Sequence, residues 1–101
     1  MNLKIPKKFK IANNWITVNI VESLPNNYYG LYNDAKQLIC IAKTVSADNE
    51  IVQLTEEQMF ITFMHEFVHC MQFYFGTSMS EEQAQVYANF LCEFLNTKID
   101  E

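Results

Sequence analysis

The chain is poor in the residues that usually build reactive sites. It has 101 residues and only two histidines, His65 and His69. Cysteine is also scarce: Cys40, Cys70 and Cys92 are an odd number with no C-x-x-C spacing. That argues against a disulfide framework and against a cysteine-based zinc site. All three are expected to pack as buried small hydrophobes. Basic residues number seven against twelve acidic ones, for a formal net charge of −5, which disfavours a nucleic-acid partner. No apolar run is long enough to cross a bilayer, so no membrane role is expected. The one basic cluster, Lys4, Lys7, Lys8 and Lys10, is followed by Asn13, Asn14 and Trp15 rather than by the apolar core of a signal peptide. A soluble, cytoplasmic protein is the expectation. Repeats and low-complexity tracts are absent.

Hydrophobic residues make up 50% of the chain and aromatics 14%, which is enough for a real core and excludes disorder. The length predicts a single domain over residues 1–101. Residues 1 to 13 read as a basic lead-in. Residues 15 to 21, rich in β-branched and aromatic side chains, read as a strand. Pro25-Asn26-Asn27 marks a turn. Residues 28 to 32 and 37 to 43 read as two further strands, joined tightly at Asn33-Asp34 into a hairpin.

The period then changes. Thr55-Glu56-Glu57-Gln58 is a capping box, and neither proline nor glycine occurs from there to Phe75, before Gly76 supplies a stop. The resulting helix is apolar almost all round, the profile of a buried central helix. Ser80-Glu81-Glu82-Gln83 is a second capping box, opening a helix to about Asn96. The fold class expected is α+β: a three-stranded antiparallel sheet packed on two helices. The tail from Lys98 to Glu101 is expected to fray.

The first helix carries His65-Glu66-Phe67-Val68-His69 near its middle. Residues i and i+4 share a helix face, so both imidazoles of an H-E-x-x-H segment can grip one metal ion. The glutamate between them lies beside that ion, where it can take a proton from a water activated by it. Two histidines and a glutamate inside an apolar helix need such a reason, because unpaired buried charge is costly. One zinc ion per chain is the expected cofactor. Zinc needs a third protein ligand, and with no further histidine it must be a carboxylate. Glu81 shares a helix face with Ala84, Ala88 and Leu91, the side that should meet the first helix; Glu82 shares one with Gln85, Val86 and Asn89. Glu81 is therefore preferred, with Glu82 as the alternative. Gln72 lies on the histidine face and is a candidate for contacting substrate or a ligand; Gln85 and Asn89 are weaker candidates. Cys70, next to His69, should point away from the metal. The oxyanion-stabilising group cannot be chosen among Tyr28, Tyr29, Tyr32, Tyr74 and Tyr87 on sequence.

The order of these parts resembles the small zincin-like metallopeptidases of the ImmA/IrrE type, including short versions carried by phages and mobile elements. The segments that carry the resemblance are Ile5 to Ile11, Tyr29 to Asp34, Ile39 to Ala42, Thr62 to His69 and Glu81 to Ala88. It implies a zincin-like fold, with zinc held by His65, His69 and Glu81 and with Glu66 as the general base. The family's Glu-x-x-Ala helix start matches Glu81 and Ala84. The resemblance also implies a protein substrate, such as a repressor or regulator. The expected activity is peptide-bond hydrolysis by Glu66-assisted attack of zinc-activated water, with an extended substrate adding to the strand at residues 37 to 43. Two other readings stay open at this point. One is a non-catalytic, zinc-stabilised interaction domain that binds a partner or itself. The other is a peptidase completed by a partner protein.

Overall fold

The computed structural model describes residues 4–76 and 78–99. Six strands precede two helices: β1 (Lys8–Ile11), β2 (Asn14–Val21), β3 (Gly30–Asn33), β4 (Leu38–Ala42), β5 (Thr44–Ala47), β6 (Glu50–Gln53), α1 (Glu56–Phe75) and α2 (Glu81–Thr97). Strands β1 to β4 form one sheet in the order β1-β2-β4-β3, and β5-β6 is a separate hairpin. The class is α+β, as expected, but the main sheet has four strands instead of three.

The sheet is also not wholly antiparallel. β1 with β2 and β3 with β4 are antiparallel, while β2 and β4 run parallel, pairing Thr17 with Leu38 and Val21 with Ala42. The β3-β4 hairpin docks with its second strand inward. The physical reason lies in β4 itself: Leu-Ile-Cys-Ile-Ala is apolar on both faces, as suits a central strand, whereas β3 alternates half-buried and exposed residues, as suits an edge. This corrects the expectation that residues 37 to 43 offer a substrate-binding edge. Both edges of β4 are occupied by neighbours, and β3 is the terminal strand on that side.

Strand β1 falls in what reads as a basic lead-in. Its lysines, Lys8 and Lys10, are exposed, while Phe9 and Ile11 alternate with them on the half-buried side. The lysine ammonium groups sit 4.6 Å and 5.2 Å from the Trp15 ring across the pair, close enough for cation–π attraction. Ala12 and Asn13 turn the chain with positive φ, and Asp48 and Asn49 do the same for the β5-β6 hairpin. That hairpin escapes a reading of periodicity because its second strand is exposed along its whole length.

The core lies between the sheet and α1, with α2 packed on α1. Ile16 and Val18 of β2 and Ile39 and Ile41 of β4 meet Phe60, Phe63 and Met64 of α1; Ala88 and Cys92 of α2 complete it. Phe9 packs against Phe63 and Phe67 at ring separations of 5.9 Å and 5.3 Å. Both helices start where their capping boxes place them, and Gly76 ends α1 in the left-handed conformation at φ 71°. Cys70 and Cys92 are buried, Cys40 is half-buried, and all three are free thiols. Among the described residues, no helix is long and apolar enough to cross a membrane.

Candidate metal centre

The 20-residue helix α1 carries the H-E-x-x-H segment starting at its midpoint, sandwiched between the sheet and α2. The chain reverses at Gly76, and the Ser80 cap starts α2 at Glu81, its first residue. The Ser80 hydroxyl accepts from the Gln83 N–H at 3.1 Å, and the Gln83 side chain accepts from the Ser80 N–H at 3.0 Å. A local capping motif thus fixes the helix end that presents Glu81 to the histidines.

Three donor atoms converge there. Nε2 of His65 lies 2.8 Å from Oε2 of Glu81, Nε2 of His69 lies 3.3 Å from the same oxygen, and the two Nε2 atoms are 3.0 Å apart. Among the described residues these three side chains form the one group of His, Cys, Asp or Glu close enough to share a cation. Glu82, the alternative ligand, is exposed and outside the group. Cys70 is also outside it, buried on another face of the helix as helical geometry requires.

The far side of each imidazole is held by an amide. Nδ1 of His65 meets Oε1 of Gln85 at 2.9 Å, and Nδ1 of His69 meets Oε1 of Gln72 at 2.7 Å. The Gln85 amide is in turn oriented by its NH₂ group, which donates to Oδ1 of Asn89 at 2.9 Å. An amide oxygen only accepts, so Nδ1 of each ring carries the proton and Nε2 presents its lone pair to the centre. Two such lone pairs and a carboxylate oxygen within 3.3 Å repel one another unless a cation lies among them. The residues fit a zinc ion. Two nitrogens and one oxygen at bond lengths of about 2.0–2.1 Å and tetrahedral angles would be spaced by about 3.3 Å. Gln72, Gln85 and Asn89 are therefore the groups that orient the histidines, an arrangement common around metal-bound imidazoles. Nε2 of Gln72 is buried without a hydrogen-bond partner.

No protein-family model, curated protein or solved structure matches this chain.

Glu66 sits beside the group, 8% exposed. Burial raises its carboxyl above the ordinary range; the neighbouring histidines and the backbone N–H of Tyr32 pull the other way without cancelling the effect. Glu81 shifts in the opposite direction, held below the ordinary carboxylate range chiefly by the adjacent His65 ring and secondarily by His69. Two carboxylates within one cluster are thus driven apart by their surroundings, Glu66 towards its neutral form and Glu81 towards its charged form.

Strand β3 passes directly over this turn of α1. A methyl group on Gly30 would lie 2.6 Å from Cγ2 of Thr62 and 3.1 Å from Cγ of Glu66. Glycine is needed for that close approach. The sequence shows a Tyr-Gly-Leu-Tyr strand, in which an interior glycine is itself a signal of close backbone contact. Of the tyrosines, Tyr28 and Tyr29 line the cavity beside His65 and Glu66. The Tyr32 hydroxyl is buried instead, near Cys70 and Tyr74 but without a well-formed hydrogen bond, and desolvation pushes its pKa up.

Proposed function

We propose that this chain is a zinc-dependent peptidase with a zincin-like fold, resembling the ImmA/IrrE metallopeptidases in its H-E-x-x-H helix and downstream glutamate. The observation that carries the reading is the convergence of His65, His69 and Glu81 on one point, with a buried carboxylate, Glu66, beside it and a cavity open to both. His65, His69 and Glu81 would hold the ion. Bound there, zinc would acidify a water and polarise the scissile carbonyl.

The chain's own groups do the rest. Glu66 holds the proton taken from the attacking water and delivers it to the departing amine nitrogen. Its raised pKa suits that exchange, because a base and acid poised nearer neutrality serves both directions. Gln72 and Gln85 hold the imidazole tautomers. β3, an edge strand in contact with the same turn of α1, offers the main-chain groups along which an extended substrate would lie.

A non-catalytic zinc domain is the second reading. It is favoured by the exposed aromatic residues on α2, Tyr87, Phe90 and Phe94. A structural zinc site is closed by four protein ligands, however, and the group here has three among the described residues. Metal analysis and a hydrolysis assay decide the matter. The purified protein should take up one zinc per chain and cleave an unfolded protein substrate. Glu66→Gln should keep the zinc and lose the cleavage. Failure to bind zinc would remove the site, and undiminished cleavage by Glu66→Gln would remove Glu66 as base.

A further inference from the structure

Two cavities flank the donor group. One, of about 430 Å³, is walled by Tyr28, Tyr29, Ile61 and Thr62 and reaches His65 and Glu66. The other, of about 340 Å³, is lined by Tyr32, Asp34, Gln72 and Phe73 and reaches His69. The two histidines are one helical turn apart, about 6 Å along α1, and β3 runs beside that turn with Tyr28 and Tyr29 before it and Asp34 after it. A peptide extended along β3 with its reacting bond over the donor group would send side chains to the two cavities from opposite sides of that bond.

The cavities differ in chemistry. Among the described residues the wall of the larger one has no charged group beyond the site's His65, Glu66 and Glu81; two aromatic rings and an isoleucine form its apolar part, with Thr62 and the amides of Gln58 and Gln85 at its polar side. Tyr28 and Tyr29 are 47% and 49% exposed, so an incoming apolar group would cover ring surface now in water. An acidic side chain would meet two carboxylates. The smaller cavity carries Asp34 instead. The aromatic wall is preformed. Asn26 and Asn27 take left-handed φ values, and both ends of the Asn27 amide bond the backbone of Ser46 at 2.7 Å. The Tyr29 carbonyl accepts from the Ala42 N–H at 2.9 Å.

We propose that the larger cavity is a specificity pocket for a bulky uncharged side chain, aromatic or branched aliphatic, on one side of the substrate bond to be cut. The proposal rests on the peptidase reading for its substrate class, and its space of about 430 Å³ is ample for one such side chain.

The test is a binding measurement, so that it does not depend on catalysis. Fluorescein-labelled octapeptides of Gly, Ala and Ser, each with one central position set to Phe, Leu, Gly, Asp or Lys, are titrated with the zinc-loaded Glu66→Gln protein and followed by anisotropy. The Phe and Leu peptides should bind at least about tenfold tighter than the Gly and Asp peptides. Tyr28→Arg, on the exposed loop, and Ile61→Arg should each reverse the order so that Asp exceeds Phe; Tyr28→Arg serves if the helix variant does not fold. Equal affinities within about twofold, or a preference that Tyr28→Arg leaves intact, would overturn the pocket. Wild-type protein that selects Phe yet cleaves none of these peptides keeps the pocket and counts against the peptidase. Cleavage without selection does the reverse.

Discussion

Gly30→Ala is the sharpest mechanical test of how β3 and α1 are fitted together. The added methyl would sit 2.6 Å from Cγ2 of Thr62, where carbon atoms normally rest about 3.5–4.0 Å apart. The shortfall is about 1 Å. It cannot be absorbed on the other sides, because Cγ of Glu66 at 3.1 Å and the carbonyl of Cys40 at 3.3 Å are also tight. The strand must lift from the helix, and overpacking of this kind costs about 1–3 kcal/mol. For a chain of this size each kcal/mol lowers Tm by about 4–8 °C. The offending atom can be removed separately. Thr62→Ser deletes Cγ2 and keeps the hydroxyl that donates to the Gln58 carbonyl at 2.9 Å, so alone it should cost under about 1 kcal/mol. In the double variant the main clash is gone. Urea unfolding of the four metal-free proteins should then show the pair less destabilised than the sum of its parts, by about 1 kcal/mol or more. A strictly additive cycle would refute the contact. Because displacement of about 1 Å at a reacting centre can cost about 100-fold in rate, Gly30→Ala should also depress any hydrolysis more than its stability loss explains.

Glu81→Ala should weaken zinc binding strongly in a competition titration with a chelator, while Glu82→Ala should leave it nearly unchanged; the opposite ranking would overturn the ligand assignment. Gln72→Leu and Gln85→Leu should each lower zinc affinity by about 10–100-fold, since they release the imidazole tautomers. In metal-free protein, the folded-state pKa of Glu66 lies above its unfolded value, so its contribution to stability is complete below the ordinary carboxylate pKa and is lost as pH rises through the raised one. Glu66→Gln should therefore be more stable than wild type at neutral pH and lose that advantage in acid; urea midpoints showing no pH-dependent difference would contradict the burial argument.

What the sequence revealed and what it concealed follow from the range of the interactions involved. Both capping boxes, the helix lengths and the Gly76 stop are local, and each was legible. The same is true of the pairing of Glu81 with the histidines, which follows from helical facing once Ala84 and Ala88 are taken as the contact side; both prove fully buried. The parallel pairing of β2 with β4 is not local. It depends on which strand of a hairpin docks inward, and only the two-sided apolar character of Leu38 to Ala42 hints at it. β1 was hidden because its outward lysines dominate the composition, and the β5-β6 hairpin because little of it is buried. The two-residue positive-φ turns at Ala12-Asn13 and Asp48-Asn49 were the available signals for both. The cavity beside His65 was illegible for a different reason: its walls come from a loop, a strand and two helices, spread along the chain from Tyr28 to Gln85.

Away from the candidate site, local preference and global packing agree: caps sit on helix starts, a left-handed glycine ends α1, and β-branched residues fill the two central strands. The disagreements gather at one place. A carboxylate is buried at Glu66, two imidazole lone pairs and a carboxylate oxygen face one another at Glu81, and the nearest strand needs a glycine to fit. Each of these costs stability in the metal-free chain, and the apolar helix α1 could have been completed with leucine at its three positions His65, Glu66 and His69. A single cation would relieve the lone-pair repulsion and give Glu81 a charged partner, while Glu66 remains a buried carboxylate at the cavity. That residual misfit is the strongest reason to assign proton transfer to Glu66. Its burial serves no packing end, because the carboxylate lines the open cavity where a substrate carbonyl could approach.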